Sequence, residues 1–394
     1  MKILYITSLS GRRINGFMRS AIIAAKQLGY EFVMACNTEG MDKDGYVADC
    51  EEYGITVKHI DFQRNPLDRR NLVAYKQLNA LMCEDNYDVV HCNTPIGGLL
   101  GRLSAKKAGI KNVIYQAHGF HFYQGAPIPN WAMYYPVERW MAKYTDTLVT
   151  ITKEDYERAQ RWKTCHVEYV HGVGINLNTF SQRESDERNN TLREQLGISK
   201  NAYVLLSVGE LNENKNHMSV IKAVEGLPLN IVYVICGEGE LRNEYEQFIQ
   251  KKSLTNRIIL AGFCQNVEDY YRMADLFVFP SHREGIPGSI MEAMATGVPV
   301  VASNTRGIRD LVLNEEYLFD SHNSDAIRKR ILWAEQQDHT SVVESYRQTI
   351  IPYAFDSVVK ELKAIYEQYL LRIQNGKSKQ VRNKSFNGSS PAHE

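Results

Sequence analysis

The stretch Pro280–Ser303, PSHREGIPGSIMEAMATGVPVVAS, carries the strongest indication of the fold. An apolar run at 277–279 precedes it and predicts a short strand. The glycines and proline of 285–288 predict a turn, and 290–295 contains no helix breaker. The segment therefore predicts a strand, a loop and a helix in succession, the unit from which parallel α/β sheets are built.

Two carboxylates flank the predicted helix start. The first turn of a helix offers unpaired backbone N–H groups and the positive end of the dipole, which together bind a phosphate or diphosphate. Ser289 and Ile290 are placed to donate such N–H groups. Glu292, one turn further, suits a vicinal diol such as ribose, and Glu284 on the loop suits another. The set predicts a site for a nucleotide sugar.

Taken singly, each glutamate is more typical of an ordinary helix-dipole partner. The complete pattern is more specific. E-G-x-P stands at 284–287, and after seven residues that follow Glu284 a second glutamate, Glu292, begins the run E-A-M-A-x-G-x-P-V-V-A. This pattern resembles the signature of the family 4 glycosyltransferases. The resemblance implies two facing Rossmann-like domains, called the GT-B fold, and sugar transfer from a nucleotide sugar with retention of anomeric configuration.

Strand-like runs alternate with amphipathic helical stretches along the chain, as expected of parallel sheets covered by helices. We expect an α/β protein with an N-terminal acceptor-binding domain at 1–180 and a nucleotide-sugar-binding domain at 181–352. The charged segment 181–190, SQRESDERNN, is interpreted as the linker. A helix at 353–373 is expected to cross back onto the first domain, and the polar remainder, 374–394, to be a disordered tail.

Composition excludes several other classes. The 394 residues have a formal net charge of zero, which argues against a nucleic-acid binder driven by phosphate neutralisation. Seven cysteines occur singly without zinc-finger spacing, which favours a reduced, cytoplasmic protein. The N-terminal apolar run is too short for a signal or membrane-spanning segment. Any membrane association is expected to be peripheral, on the inner face of the cytoplasmic membrane.

The resemblance extends to other positions of the second domain. Lys215 is expected to neutralise the leaving diphosphate, and Glu210 departs from the family, which usually has an arginine there. Arg283 is a candidate substitute. The residues implied to contact the donor are Gly209, Glu210, Lys215, Gly237, Gly262, Phe263, Glu284, Gly285, Ile286, Pro287, Gly288, Ser289, Ile290 and Glu292.

In the first domain, His118-Gly119 follows a predicted strand and resembles the family's H-G motif, whose histidine reaches the donor sugar. A lone loop histidine is otherwise more often bound to backbone. The resemblance thus implies catalytic roles for Glu284, His118 and Lys215. Gly11, Arg12 and Arg13, after the first strand, form a candidate acceptor or phosphate loop. The two arginines are equally compatible with contact to an anionic lipid and with simple solvation.

The segment 118–146, HGFHFYQGAPIPNWAMYYPVERWMAKYTD, is rich in aromatic residues mixed with basic ones. It resembles the matching region of bacterial transferases that assemble capsular and exopolysaccharide units on a lipid diphosphate. Core packing accounts for part of these rings. The remainder are candidates for contact with an anionic membrane, where a polyprenyl-diphosphate-linked or glycan acceptor is presented.

We find no nucleophile with an adjacent base and no D-x-D metal motif at the end of a predicted strand, so neither a cofactor nor a metal is expected. The resemblance implies front-face substitution, with electrostatic stabilisation of the departing diphosphate. A nucleophilic role for Glu284 is the alternative chemistry. The alternative functions are a nucleotide-sugar epimerase, a phosphorylase of similar architecture, or a non-catalytic sugar-nucleotide-binding protein.

Overall fold

The structure is a computed structural model that describes residues 1–8, 11, 13, 14, 16–181 and 186–386. The chain divides into two compact units. The N-terminal unit comprises 1–151, 155–174 and the chain from 356 onward, and the C-terminal unit comprises 152–154 and 175–355.

The strands are β1 Lys2–Ile6, β2 Glu31–Cys36, β3 Thr56–His59, β4 Val89–Asn93, β5 Val113–Ala117, β6 Thr147–Thr150, β7 His166–Tyr169, β8 Tyr203–Val208, β9 Ile231–Cys236, β10 Ile258–Gly262, β11 Leu276–Phe279, β12 Val300–Ser303 and β13 Leu318–Phe319. The α-helices are α1 Gly16–Gln27, α2 Lys43–Tyr53, α3 Arg70–Glu84, α4 Pro95–Ala108, α5 Ile128–Met141, α6 Lys153–Gln160, α7 Leu177–Ser181, α8 Asp186–Gln195, α9 His217–Val224, α10 Arg242–Lys251, α11 Val267–Met273, α12 Gly288–Thr296, α13 Ile308–Leu311, α14 Ser324–Glu335, α15 Thr340–Ile350 and α16 Phe355–Phe386.

Each unit contains one parallel sheet. The strand order is β3-β2-β1-β4-β5-β6-β7 in the N-terminal unit and β10-β9-β8-β11-β12-β13 in the C-terminal unit. The central strands, such as β4 and β9, are buried along their whole length, as apolar strands covered by helices on both faces must be. The predicted α/β class with two parallel-sheet domains is confirmed.

The C-terminal sheet reverses its strand order between β8 and β11, which pair through Leu276 with Leu205 and Phe277 with Leu206. In open parallel sheets, ligands bind outside the carboxyl ends of the strands at such a reversal. The loops that follow β8 and β11 therefore lie side by side at the edge where a ligand site is expected.

Helix α16 belongs to the N-terminal unit and is attached to its sheet by buried polar contacts. The Tyr366 hydroxyl lies 2.7 Å from Nδ1 of His91 in β4, and the Tyr369 hydroxyl donates to Asp146 Oδ2 at 2.7 Å. The chain from 356 onward is thus grouped with the N-terminal unit, although it follows the C-terminal unit in sequence. The helix continues to Phe386, past the predicted limit of 373, and 387–394 lie outside the described residues.

The observed unit boundary differs from the interpretation of the sequence. The units divide at 174/175 and 355/356, whereas the sequence pattern placed the divisions at 180/181 and 352/353. Of the segment interpreted as the linker, 182–185 lie outside the described residues, and Asp186 begins α8 of the C-terminal unit. The charged composition of 181–190 does not distinguish a linker from a helix, because solvated helices and linkers share that composition.

Candidate active site

Lys215 and Glu284, predicted separately from two motifs, meet at the strand-order reversal. Lys215 Nζ lies 2.8 Å from Glu284 Oε1 and 5.1 Å from the centre of the Phe279 ring. Both side chains are largely covered, with 23% and 13% of their surfaces exposed. The two loops are joined directly, because the Asn214 side-chain amide donates to the Arg283 carbonyl at 3.0 Å. An ammonium and a carboxylate are thus held together at the ligand-binding edge.

Asn216 fixes the Lys215 loop and was missed in the sequence. It has a left-handed backbone conformation (φ 56°), which asparagine tolerates better than most residues. Its buried side-chain amide donates to the carbonyls of Pro280 at 3.1 Å and Ser321 at 2.9 Å. The sequence feature that indicates Asn216 is its position immediately before the apolar helix α9.

Helix α12 begins at Gly288, directly after the E-G-I-P turn, as predicted. Gly288, Ser289 and Ile290 form its first turn, whose N–H groups have no acceptor within a helix. Glu292 lies one turn further, where the Tyr271 hydroxyl donates to its Oε2 at 2.8 Å and lies 3.0 Å from the Ser289 carbonyl. Burial raises the pKa of Glu292, and the Tyr271 hydrogen bond opposes that rise.

Arg306 and Gly307 contact the backbone of the turn that carries Glu284, and neither was singled out in the sequence. The buried Arg306 guanidinium donates to the Glu284 carbonyl at 3.2 Å. Gly307 has a φ of 75°, and a Cβ there would lie 1.5 Å from the Gly285 carbonyl oxygen. The signal was an arginine-glycine pair just after β12, at the same edge of the sheet.

Backbone hydrogen bonds join the glycine-bearing loops that follow β8, β9 and β10. Gly209 N–H donates to the Cys236 carbonyl at 2.9 Å, and Gly237 N–H donates to the Gly262 carbonyl at 2.7 Å. A Cβ on Gly237 would lie 1.9 Å from the Gly209 carbonyl oxygen, so only glycine fits. The predicted donor loops therefore form one contiguous rim. On it, Glu210 is exposed and Phe263 has 78% of its surface exposed.

His118 of the N-terminal unit follows β5 and lies 3.1 Å, through Nε2, from Asn93 Oδ1 at the end of β4. Burial, with a smaller effect of His91, lowers the pKa of His118 to about 3, so the imidazole is neutral near pH 7. The ring is thus held at the carboxyl edge of its own sheet. Its predicted contact with a donor sugar stays a prediction.

Arg13 has a structural partner, which changes its interpretation. Its Nε donates to Asp49 Oδ2 at 2.8 Å, Nη2 pairs with Oδ1, and the Ile14 N–H donates to Oδ2 at 2.9 Å. The hydrogen bonds from Arg13 lower the pKa of the Asp49 carboxyl. Arg13 thereby ties the loop after β1 to α2. Gly11 is partly exposed, and Arg12 lies outside the described residues.

The aromatic segment divides between core and surface. Phe120 and Phe122 are buried and stacked at 4.7 Å between ring centres. Trp131 and Tyr135 pack against Phe122, whereas Trp140 has 47% of its surface exposed. Within the described part of the chain, no helix is long and apolar enough to span a membrane.

The fold and this arrangement together define a glycosyltransferase of the GT-B architecture. Solved structures of that fold superpose well: HepE from Anabaena, in complex with UDP, has a TM-score of 0.74 and 19% identity, with 93% of this chain and 100% of that chain covered. The apo lipopolysaccharide outer core galactosyltransferase WaaB has a TM-score of 0.65 and 17% identity, with 93% and 99% covered.

Sequence comparison gives the family. The model "Glycosyl transferase 4-like" matches residues 2–152 and the model "Glycosyl transferases group 1" matches 188–355. The putative glycosyltransferase EpsD of Bacillus subtilis is 35% identical over 358 residues, or 88% of this chain and 91% of that protein. The chain belongs to the family 4 glycosyltransferases. A UDP-Gal:alpha-D-GlcNAc-diphosphoundecaprenol alpha-1,3-galactosyltransferase of Escherichia coli is 27% identical, over 83% and 89% of the two chains.

Proposed function

We propose that this enzyme transfers a hexose or N-acetylhexosamine, with retention, from a UDP-sugar to a glycan or polyprenyl-diphosphate-linked acceptor in cell-surface polysaccharide synthesis. The observation that carries the proposal is the pairing of Lys215 with Glu284 at 2.8 Å, beside the first turn of α12. The Lys215 ammonium and the helix N-terminus suit the diphosphate of a nucleotide sugar, and the Glu284 carboxylate suits a pair of its sugar hydroxyls.

Each polar group of the site has a role in this proposal. The first-turn N–H groups of α12 and Lys215 bind the diphosphate, and Glu292 accepts hydrogen bonds from the ribose hydroxyls. Glu284 binds hydroxyls of the donor hexose. The hydrogen bonds from Tyr271 and Arg306 hold Glu292 and the Glu284 backbone in place before the ligand arrives. Such preorganised donors contribute most where charge develops in the transition state.

The proposed reaction is a front-face substitution. The bond between the anomeric carbon and the diphosphate oxygen breaks, and a bond from the acceptor hydroxyl oxygen to the same carbon forms on the same face. The acceptor proton passes to the departing diphosphate oxygen, so atoms and charges balance. Lys215 stabilises the negative charge that accumulates on the diphosphate.

The relatives support the choice of donor and acceptor. The Escherichia coli relative is named for UDP-Gal and a diphosphoundecaprenol acceptor, and a Campylobacter jejuni relative, 33% identical over 114 residues, is named for a diphospho-undecaprenol acceptor. HepE was solved with UDP. With a lipid-linked acceptor, we propose that the reaction takes place at the cytoplasmic face of the membrane and that the protein binds there peripherally.

We further propose that neither a metal ion nor a cofactor takes part, because Lys215 and the α12 N-terminus already provide positive potential for the diphosphate. Transfer should be unchanged after treatment with EDTA and desalting. Restoration of a lost activity by added magnesium or manganese would contradict this part of the proposal.

A screen of nucleotide sugars by thermal unfolding, followed by product analysis, tests the function. A ligand at one hundred times its dissociation constant adds about 2.7 kcal/mol to the free energy of unfolding. The nucleotide sugar that raises the melting temperature most is therefore identified as the donor. The identified donor is then incubated with and without a polyprenyl-diphosphate-sugar acceptor. Turnover that needs no acceptor would instead favour an epimerase, turnover with phosphate alone a phosphorylase, and binding without turnover a non-catalytic protein.

A further inference from the structure

Helix α5 has an outward surface made of apolar side chains. With about 3.6 residues per turn, its exposed positions Pro129, Met133, Pro136, Val137 and Trp140 lie on one side, here called the α5 outer face. The exposed fractions of Met133, Val137 and Trp140 are 60%, 42% and 47%. A solvated helix normally presents polar residues there.

The opposite side of α5 is packed, so the helix cannot rotate to hide its outer face. Trp131 and Tyr135 contact Phe122 in the core. Glu138 Oε2 pairs at 2.8 Å with the buried guanidinium of Arg102 on α4, and the Tyr115 hydroxyl donates to Glu138 Oε1 at 3.0 Å. A contiguous exposed apolar patch that is fixed in this way marks an interaction surface.

Basic residues border the α5 outer face at its C-terminal end. Arg139 and Lys143 are exposed, and Lys106 Nζ lies 2.8 Å from the hydroxyl of Tyr144, whose ring packs edge-on against Trp140 at 5.5 Å. The one acidic residue of α5, Glu138, is neutralised by Arg102. Tryptophan and tyrosine beside lysine and arginine match the boundary between acyl chains and anionic headgroups.

We infer that the α5 outer face docks on the surface of an anionic lipid bilayer. Met133, Val137 and Trp140 enter the acyl boundary, and Lys106, Arg139 and Lys143 contact phosphate groups. The inference rests on the proposed function for its partner, because a lipid-linked acceptor has to be reached at a membrane. It assigns docking to one side of α5, whereas Phe120 and Phe122 of the same aromatic segment are core residues.

Flotation of the full chain with vesicles tests the inference. The wild type should float with equimolar phosphatidylcholine and phosphatidylglycerol at low salt, less at high salt, and poorly with phosphatidylcholine alone. The triple change Met133→Ser, Val137→Ser, Trp140→Ser should lower the partition coefficient about tenfold or more. Arg139→Glu with Lys143→Glu should abolish the preference for phosphatidylglycerol.

Matched controls are available on the C-terminal unit. Leu229→Ser removes an apolar side chain that is 85% exposed, and Lys222→Glu reverses an exposed charge on α9. Both should float like the wild type. Equal flotation of the triple variant and wild type, or no flotation of the wild type at any salt concentration, would overturn the inference. So would a concentration-dependent dimer that the triple change abolishes, which would make the face a contact between copies.

The readouts separate this inference from the proposed function. UDP-sugar binding, measured by thermal unfolding, is assigned to the C-terminal unit and should be unchanged in the triple variant, whose substitutions lie in the N-terminal unit. The ligand-free melting curve and circular dichroism of the triple variant show whether its N-terminal unit is folded. A protein that binds and transfers sugar but does not float retains its function and loses this docking surface. A protein that floats but binds no nucleotide sugar retains the surface and loses the function.

Discussion

The carboxyl edges of the two sheets differ in how their polar residues are used. In the C-terminal unit, Lys215 and Glu284 are directed to each other across the β8–β11 reversal, where a ligand's charges would lie. In the N-terminal unit, Arg13 is committed to Asp49 and His118 to Asn93. The contrast indicates that the C-terminal edge is built for a charged ligand, whereas much of the polarity of the N-terminal edge maintains its own loops.

The largest effect is expected from a substitution of Lys215, at the carboxyl edge of the C-terminal sheet. Lys215→Ala should lower the rate of transfer by about two to three orders of magnitude, because loss of one preorganised donor costs about 2.7–4 kcal/mol in the barrier. Single-turnover kinetics with saturating donor measure the chemical step. Thermal unfolding of the variant is the check on folding, because the change leaves the largely covered Glu284 carboxylate without its ammonium partner.

Lys222→Ala is the matched control, since Lys222 is exposed on the neighbouring helix α9 and should leave the rate unchanged. A Lys215→Ala enzyme with normal turnover would remove this residue from the mechanism. It would direct attention to Arg283, which is exposed on the adjoining loop.

The two glutamates at the carboxyl edge of the C-terminal sheet are assigned to different parts of the donor, Glu284 to the hexose and Glu292 to the ribose. Glu292→Gln should weaken UDP and UDP-sugar alike by about 1.5–3 kcal/mol, the range for hydrogen bonds to a charged group. Glu284→Gln should leave UDP binding nearly normal and cripple transfer, because UDP has no hexose. Calorimetry with both ligands measures the difference, and equal losses of UDP affinity would contradict the assignment. A covalent glycosyl adduct on Glu284 would replace front-face substitution with double displacement.

The same contrast explains how much the sequence could predict. Glu284, the helix start and Glu292 lie within one continuous segment, so local spacing fixes their relative positions. Tyr271 and Arg306 are distant in sequence from the glutamates that they support and reach them only through the sheet order. No local pattern reports such contacts.

The N-terminal unit was harder to predict for related reasons. Strand β3, with the sequence TVKH, is a short edge strand with partly exposed residues and lacks the apolar run that marks a buried strand. The aromatic segment shows a second difficulty, because its composition does not distinguish Phe122, which is in the core, from Trp140, which is on the surface. Only the packing of the folded chain separates them.

A smaller effect is expected from Tyr271→Phe, which removes a contact to Glu292 without touching the ligand. UDP affinity near neutral pH should fall about tenfold or less, since one hydrogen bond is worth about 1 kcal/mol. Burial raises the pKa of Glu292 and the Tyr271 hydroxyl lowers it, so the change should raise this pKa further. The carboxylate form, which binds the ribose, is then lost at a higher pH as the solution is acidified.

Calorimetric titration of UDP over a pH series measures that shift. The acid limb of the affinity profile should move to higher pH in Tyr271→Phe and should be absent in Glu292→Gln, which has no carboxyl to titrate. An unmoved limb in Tyr271→Phe would show that Glu292 is held by other contacts.

The smallest effect is expected on the N-terminal unit, from Tyr366→Phe in α16. The change removes the 2.7 Å contact with Nδ1 of His91 and should lower the free energy of unfolding by about 1 kcal/mol. UDP affinity should be unchanged, because Tyr366 belongs to the other unit.

His91 itself makes a pH-dependent contribution to stability. Burial lowers the pKa of His91 to about 3, so His91 is protonated in the unfolded chain before it is protonated in the folded one as the pH falls below 6.5. Stability of the N-terminal unit is therefore lost on acidification in the wild type and in Tyr366→Phe. Urea unfolding, followed once above and once below pH 6.5, measures both effects. Equal stability of Tyr366→Phe and the wild type, or a change in UDP affinity measured by calorimetry, would contradict the assigned role of α16.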